Sequence, residues 1–322
     1  MIPAIKSNPK FNKVVISTGN ILNVNKKPAR KSSEELLDGL KLTLQCSELG
    51  FVELNDIDGQ VLRASQELSE KITEHERSHI SIGAKIFLNK HSDSSIREAV
   101  QALLSILKVQ QVDNVVLAYH PKPDTIIPTT PSSPAIHGDS YGVLKWSSRN
   151  DESVADLKQL WSALEYYAQQ KHIVQLGISD LDMDTLSELY AASSVNPSIA
   201  QVNLSSCCVV PPALQEFCNK HDIQLLTHSD PEVLLENDQF IIPDYTVDWV
   251  VRYQVHVRCR GVLAAKGYIV GAAKSETTWI CLITLLLFKY VTSYILPGAF
   301  VLYVIEEINR KNRKSKLPCG TV

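Results

Sequence analysis

The chain has 322 residues, with 32 Lys and Arg against 35 Asp and Glu, a formal net charge of −3 and a pI near 6.3. That balance favours neither nucleic acid nor an anionic membrane surface, while the length permits one large α/β barrel or two small domains. The opening MIPAIKSNPKFNK lacks the apolar core of a signal peptide, and the seven cysteines (46, 207, 208, 218, 259, 281, 319) show no CxxC and no His at metal-ligand spacing, so the expectation is a cytoplasmic protein with reduced thiols and no metal.

In chain order, Lys13–Ser17 reads as a short strand. Ser32-Ser33-Glu34-Glu35 then makes a capping box before the helical repeat Leu36, Leu37, Leu40, Leu44. Ile80–Leu88 predicts a strand, and Ile96, Val100, Leu103, Leu104 and Leu107 the face of a helix. Asn114–Tyr119 is the next strand. Residues 121–152, rich in Pro, Ser, Thr and Gly without a period, predict a long exposed loop. Leu157, Leu160, Trp161, Leu164 and Ala168 mark a helix leading into the next strand.

Residues 172–229 are the most regular stretch. Ile173–Ile178, Ile199–Leu204 and Ile223–Thr227 are short β-branched or apolar runs, as in strands buried on both faces. Between them, Leu186, Leu189 and Tyr190, and later Leu214, Phe217 and Cys218, repeat at helical spacing. Asp180, Asp182 and Asp184 crowd one helix start, and Pro211-Pro212 opens the other. Val247–Arg260 is expected to be another helix and Gly261–Ile269 a last strand. The count is seven or eight parallel β/α units, that of a barrel.

The end of the chain is different material. Trp279–Ile305 is apolar but for Lys289 and is followed by the basic run Arg310–Lys316. About 20 apolar residues span a bilayer, and a basic flank would sit on its cytosolic side; Lys289 and Pro297-Gly298 argue against a clean span. Three readings of residues 275–322 stay open: a divergent or wrongly spliced end with no selected role, a membrane anchor, and a segment packed on the core or on a partner.

Several phrases resemble a known family. Gly177-Ile178-Ser179 followed by an acidic helix start, with Gln201-Val202-Asn203 on the next strand, is similar to the aldo-keto reductase pattern. The longer string QVNLSSCCVVPPAL…IQLLTHSDP, together with Ser17–Asn23 and Arg260–Ile269, resembles the regulatory (modifier) subunits of glutamate–cysteine ligase, a branch of that superfamily. The resemblance spans residues of about 10–274. It implies a (β/α)8 TIM-type barrel over 1–274, a heterodimer with the ligase's catalytic subunit, better use of glutamate and relief from glutathione feedback.

The reductases of this superfamily transfer hydride from NADPH while a Tyr, tuned by a Lys, donates the proton. By motif order Lys85 and His120 occupy the family's Lys and His positions, but the first tyrosine of this sequence is Tyr119, so no residue among 1–118 can be that acid. Ser179, Gln201 and Lys266 match cofactor-holding positions; Asp180 replaces the usual Asn, and no Arg follows Lys266 to grip a 2′-phosphate. The resemblance therefore implies a silent barrel with vestigial Lys85 and His120, no catalytic residue, and weak or no NADPH binding. The rival is an active NADPH-dependent reductase. The chain has no P-loop, so no ATP site of that kind. Cys207, Cys208 and Cys259 are either inert thiols or redox and intersubunit candidates; His172, His221 and His228 read as structural.

Overall fold

The computed structural model describes residues 11–22, 31–45, 52–53, 60–62, 67–121, 150–203 and 209–275. Ten strands make one sheet: β1 (Lys13–Ser17), β2 (Val52–Glu53), β3 (Gln60–Leu62), β4 (Ile80–Leu88), β5 (Val112–Ala118), β6 (Ile173–Ser179), β7 (Ile199–Asn203), β8 (Gln224–His228), β9 (Tyr245–Val257) and β10 (Val262–Lys274). Six helices connect them: α1 (Ser32–Gln45), α2 (Glu67–Thr73), α3 (Asp93–Leu107), α4 (Asp151–Gln169), α5 (Met183–Ala192) and α6 (Pro212–Lys220). The class is α/β, with the strand–helix units of a TIM-type barrel: β4 to β8 run parallel in sequence order, each linked to the next through a helix.

The last unit departs from expectation. Residues 245–257 are strand β9, where a helix was expected over Val247–Arg260. Val247, Trp249, Val251, Tyr253, Val255 and Val257 alternate with Asp248, Val250, Arg252, Gln254 and His256, a period of two that a pleated strand can split between its faces. A turn ending in Gly261, at φ 61°, reverses the chain into β10. This antiparallel hairpin lies between β1 and β4, so the order is β2-β3-β1-β10-β9-β4-β5-β6-β7-β8. Among the described residues no pairing joins β8 to β2.

Helix ends are capped as their sequences dictate. Ser92 accepts from the Ser95 amide at 3.2 Å to start α3, and Lys108 closes it in the left-handed region at φ 54°. Asn150 and Ser153 form a reciprocal capping box, so α4 begins at Asp151 and the last two residues of the expected loop are helical. Residues 122–149 of that loop lie outside the described residues. Glu165, only 8 % exposed, turns its carboxylate on the Ser194 and Val195 amides at 2.6 and 2.9 Å, satisfying the link into β7.

Each sheet face has its own core. Ile82, Ile86, Val115, Leu117, Leu176, Ile178, Trp249 and Val251 pack beneath α2–α6. On the opposite face, Ile16, Phe87, Ala118, Val250 and Val270 pack beneath Leu36, Leu40 and Leu44 of α1 and the segment Leu234–Ile242. The chain divides into Met1–Lys274 and Ser275–Val322. The apolar run 279–305 lies outside the described residues; among those described, no helix is long and apolar enough to cross a membrane.

Candidate functional site

Lys85 sits in the middle of β4 on the α1 side of the sheet and is 3 % exposed. Arg252 is its direct register partner on β9. Two cations opposite one another repel, and burial deepens the cost. Asp230, just beyond β8, resolves it: its carboxylate accepts from Lys85 Nζ at 3.2 Å and from both terminal nitrogens of Arg252, one at 2.9 Å. Ser32 adds its hydroxyl to Asp230 at 2.9 Å and accepts from Arg252 at 3.0 Å. The start of α1, strand β9 and the chain after β8 thus meet on one carboxylate. Phe87 lies beneath both cations, its ring centre 5.3 Å from Lys85 Nζ and 5.7 Å from Arg252 Cζ.

The charges follow the packing. Burial lowers the Lys85 pKa to about 8, against the pull of Asp230 and Asp180, with Arg252 lowering it further. Burial alone would raise Asp230, but its bonds to Arg252 and the nearby cations outweigh that and hold the carboxyl well below the usual range. Asp180 is the second hub, at φ 65° after β6. It accepts from the Asn203 amide at 3.0 Å, meets His228 Nε2 at 2.9 Å and lies 3.6 Å from His120 Nε2. Burial would raise Asp180, yet the His228 bond and neighbouring positive groups bring it down. Burial also lowers His120, favouring neutral imidazole despite Asp180. The Asp230 amide donates to His228 Nδ1 at 3.1 Å, so Nε2 carries the proton and donates to Asp180.

Lys85, His120, Ser179 and Gln201, all singled out from sequence, share the carboxyl-terminal side of the parallel strands. Ser179 and Gln201 are register partners on β6 and β7, and Ser179 Oγ and Gln201 Oε1 are buried without a hydrogen-bond partner among the described residues. Lys266 is paired with Glu35 of α1 at 2.6 Å, next to the Ser32 end of the cluster. Cys259 is exposed in the β9–β10 turn, beside Arg258, whose amide donates to His79 at the opposite end of β4 from the cluster. Cys207 and Cys208 lie outside the described residues. Asp230, Arg252 and Ser32 were missed from sequence, and His228, read as structural, links Asp180 to Asp230.

Three buried tyrosines among the described residues are engaged in packing and hydrogen bonds of their own. Tyr268 donates to Glu35 at 2.9 Å and to the Ser32 carbonyl at 3.2 Å; burial, then Glu35, push its pKa far above the ordinary value, the reverse of activation. Tyr253 donates to the Gly19 carbonyl at 2.9 Å. Tyr119 packs in the helix-side core, its pKa pushed up to about 12 by burial and then Asp156.

These parts define an aldo-keto reductase framework, and the chain matches the aldo/keto reductase family over residues 57–230. More narrowly, the chain belongs to the family of glutamate–cysteine ligase regulatory subunits. It is 35 % identical to the mouse and human proteins of that name over 276 residues, covering 80 % of this chain and 92 % of theirs. It is 32 % identical over 126 residues to the putative Schizosaccharomyces pombe subunit, covering 36 % of this chain and 44 % of that one. Solved structures with some likeness include a silkworm aldo-keto reductase (16 % identity, 62 % of this chain and 46 % of that one, TM-score 0.35) and Giardia lamblia aldose reductase (15 %, 61 % and 53 %, TM-score 0.34); the assignment does not rest on them.

The superfamily implies NADPH, and the residues fit only one end of it. The orphaned oxygens of Ser179 and Gln201 suit an amide. The cation that would meet phosphate, Lys266, is neutralised by Glu35, and Lys85 is closed by Asp230.

Proposed function

We propose that this chain is a non-catalytic regulatory subunit that binds the catalytic subunit of glutamate–cysteine ligase as a heterodimer in the cytoplasm and raises its activity. One observation carries the reading: Lys85, where a reductase tunes its acid, is locked into an ion-paired latch with Asp230 and Arg252. Lys85, Arg252 and Ser32 all bind Asp230, which ties β4, β9, the start of α1 and the chain after β8 together and supports a structural use of the pair. The names of the 35 %-identical relatives supply the partner. Vestigial Lys85 and His120 and remnant Ser179 and Gln201 belong to this reading, as does a separable segment 275–322.

A silent subunit raises another enzyme's activity only by binding its competent state more tightly than its inhibited state. A coupling of about 1–3 kcal/mol changes apparent affinity roughly 5- to 150-fold. Adding the purified chain to the catalytic subunit should lower the apparent glutamate KM and weaken glutathione inhibition. By reciprocity, glutathione should loosen the heterodimer. A complex whose kinetics match the catalytic subunit alone refutes the regulatory reading. The rival, an active reductase, predicts NADPH-dependent aldehyde turnover instead.

A further inference from the structure

A cavity of about 340 Å³ opens on the helix side of the sheet, away from the Lys85 cluster, between β1, β10 and α3. Its cause is local. Glu98, Gln101, Ala102 and Ser105 form one stripe of α3 at spacings of three, four and seven, and that stripe faces Lys13, Val15 and Gly271. Gly271 is the register partner of both Val15 and Trp249. Glycine is required there because the Trp249 indole fills the space a side chain would take: an added Cβ would sit 2.1 Å from Trp249 Cε2. The indole Nε1 points to Glu98 Oε2 at 3.5 Å. The cavity is thus floored by small residues and walled by one cation, one carboxylate, an amide and a hydroxyl.

The charges are arranged as opposites across the opening. Lys13 and Glu98 form an ion pair there, 48 % and 31 % exposed. Asp248 lies within electrostatic reach of both, 7 % exposed, and its pKa is raised by burial, then by Glu98, against Lys90 and Lys13. Glu98 and Asp248 are thus matched by Lys13 and Lys90, a balanced set that suits a ligand carrying one charge of each sign. The volume is in the range of small-molecule sites.

We propose that this cavity binds a small zwitterion of the amino-acid or short-peptide class. The ligand's ammonium replaces Lys13 beside Glu98 and its carboxylate takes Lys13, so each exposed charge exchanges one partner for another. Gln101 and Ser105 supply polar contacts at the rim. The site itself rests on this geometry; only the choice of probes rests on the proposed function.

The test is isothermal titration of the full-length chain with L-glutamate and with glutathione, using glutarate (no ammonium) and butylamine (no carboxylate) as single-charge controls. Saturable millimolar binding of at least one zwitterion is expected, several-fold tighter than either control. Ser105→Trp, which fills the rim from an exposed position, should abolish it. Lys13→Met and Glu98→Gln should each weaken it about three- to tenfold. Circular dichroism confirms that each variant folds, and loss of binding in an unfolded variant counts only if the other two agree. No saturable binding of either zwitterion, equal binding of glutarate, or binding unchanged by Ser105→Trp overturns the proposal. None of these outcomes bears on whether the chain activates the ligase, which is measured separately.

Discussion

Replacing Asp230 by Asn removes the carboxylate that Lys85 and Arg252 share where they face each other in the sheet. Breaking a buried pair costs about 3–5 kcal/mol because the remaining charge is left uncompensated. Here two cations lose their partner; Lys85 is almost wholly buried, while Arg252 keeps some water, its side chain 19 % exposed. A loss of about 3–5 kcal/mol is therefore expected, which for a unit of this size lowers Tm by roughly 6–20 °C. The pH dependence has a definite sign. Lys85 titrates near 8 in the folded chain and at 10.5 when unfolded, so between those values the unfolded chain holds the extra proton and stability rises with pH. The gain is about 3 kcal/mol across that window, all of it missing below pH 8. Asp230 acts oppositely: its depressed pKa contributes stability above the ordinary carboxyl value, lost as pH falls through that value and below. In Asp230→Asn, Lys85 loses a group that raises its pKa, so the alkaline rise should begin at lower pH and the acid loss should shrink. Urea denaturation followed by circular dichroism from about pH 3 to 11 measures both limbs. Adding Lys85→Met to Asp230→Asn should restore part of the loss. A single variant within about 1 kcal/mol of wild type, or a double variant no better than the single, would refute the reasoning.

Three further outcomes are expected. The purified chain should reduce no common aldehyde with NADPH, and Lys85→Met should change nothing in that assay; turnover abolished by Lys85→Met would show another group acting as the acid. Cutting after Lys274 should leave a cooperatively folding protein that still binds the catalytic subunit, as gel filtration and co-purification would report; unfolding on truncation would show that residues 275–322 belong to the core. Cys207→Ser/Cys208→Ser, and separately the exposed Cys259→Ser, should reduce any oxidant-dependent gain in association while leaving basal binding, with non-reducing gels as the readout; an equal oxidant response in all variants removes the thiols from the account.

The sequence made some of this site visible and hid the rest for physical reasons. Lys85, Ser179 and Gln201 lie within strands and His120 just after one, all inside short phrases, and the register of the strands brings their positions together. Asp230 could not be found that way, because its meaning lies in partners 22, 145 and 198 residues distant. Arg252 was lost with its element. A helical reading of 247–260 scatters its side chains around a cylinder, whereas alternation from Val247 to Val257 places Arg252 on the α1 side with Gln254 and His256. That alternation was legible and outweighs the helical reading. The barrel count succeeded for β4 to β8, where each strand is followed by its own helix; it failed where two long strands arise without one.

The hairpin also governs how this chain can be made. β1, at residues 13–17, is hydrogen-bonded along its length to β10, which ends at Lys274. β4 likewise awaits β9 along its whole length. A ribosome delivering residues at about 5–20 per second therefore releases the first strand, with its neighbour β3, many seconds before its other neighbour, β10, exists. Until the hairpin emerges, β1 and the β4–β8 arc are two separate fragments with open edges, the state in which strands find wrong partners. Termination anywhere short of Lys274 shortens or removes the strand that joins them, so a transcript cut early would yield two unsealed half-sheets and no partly working subunit.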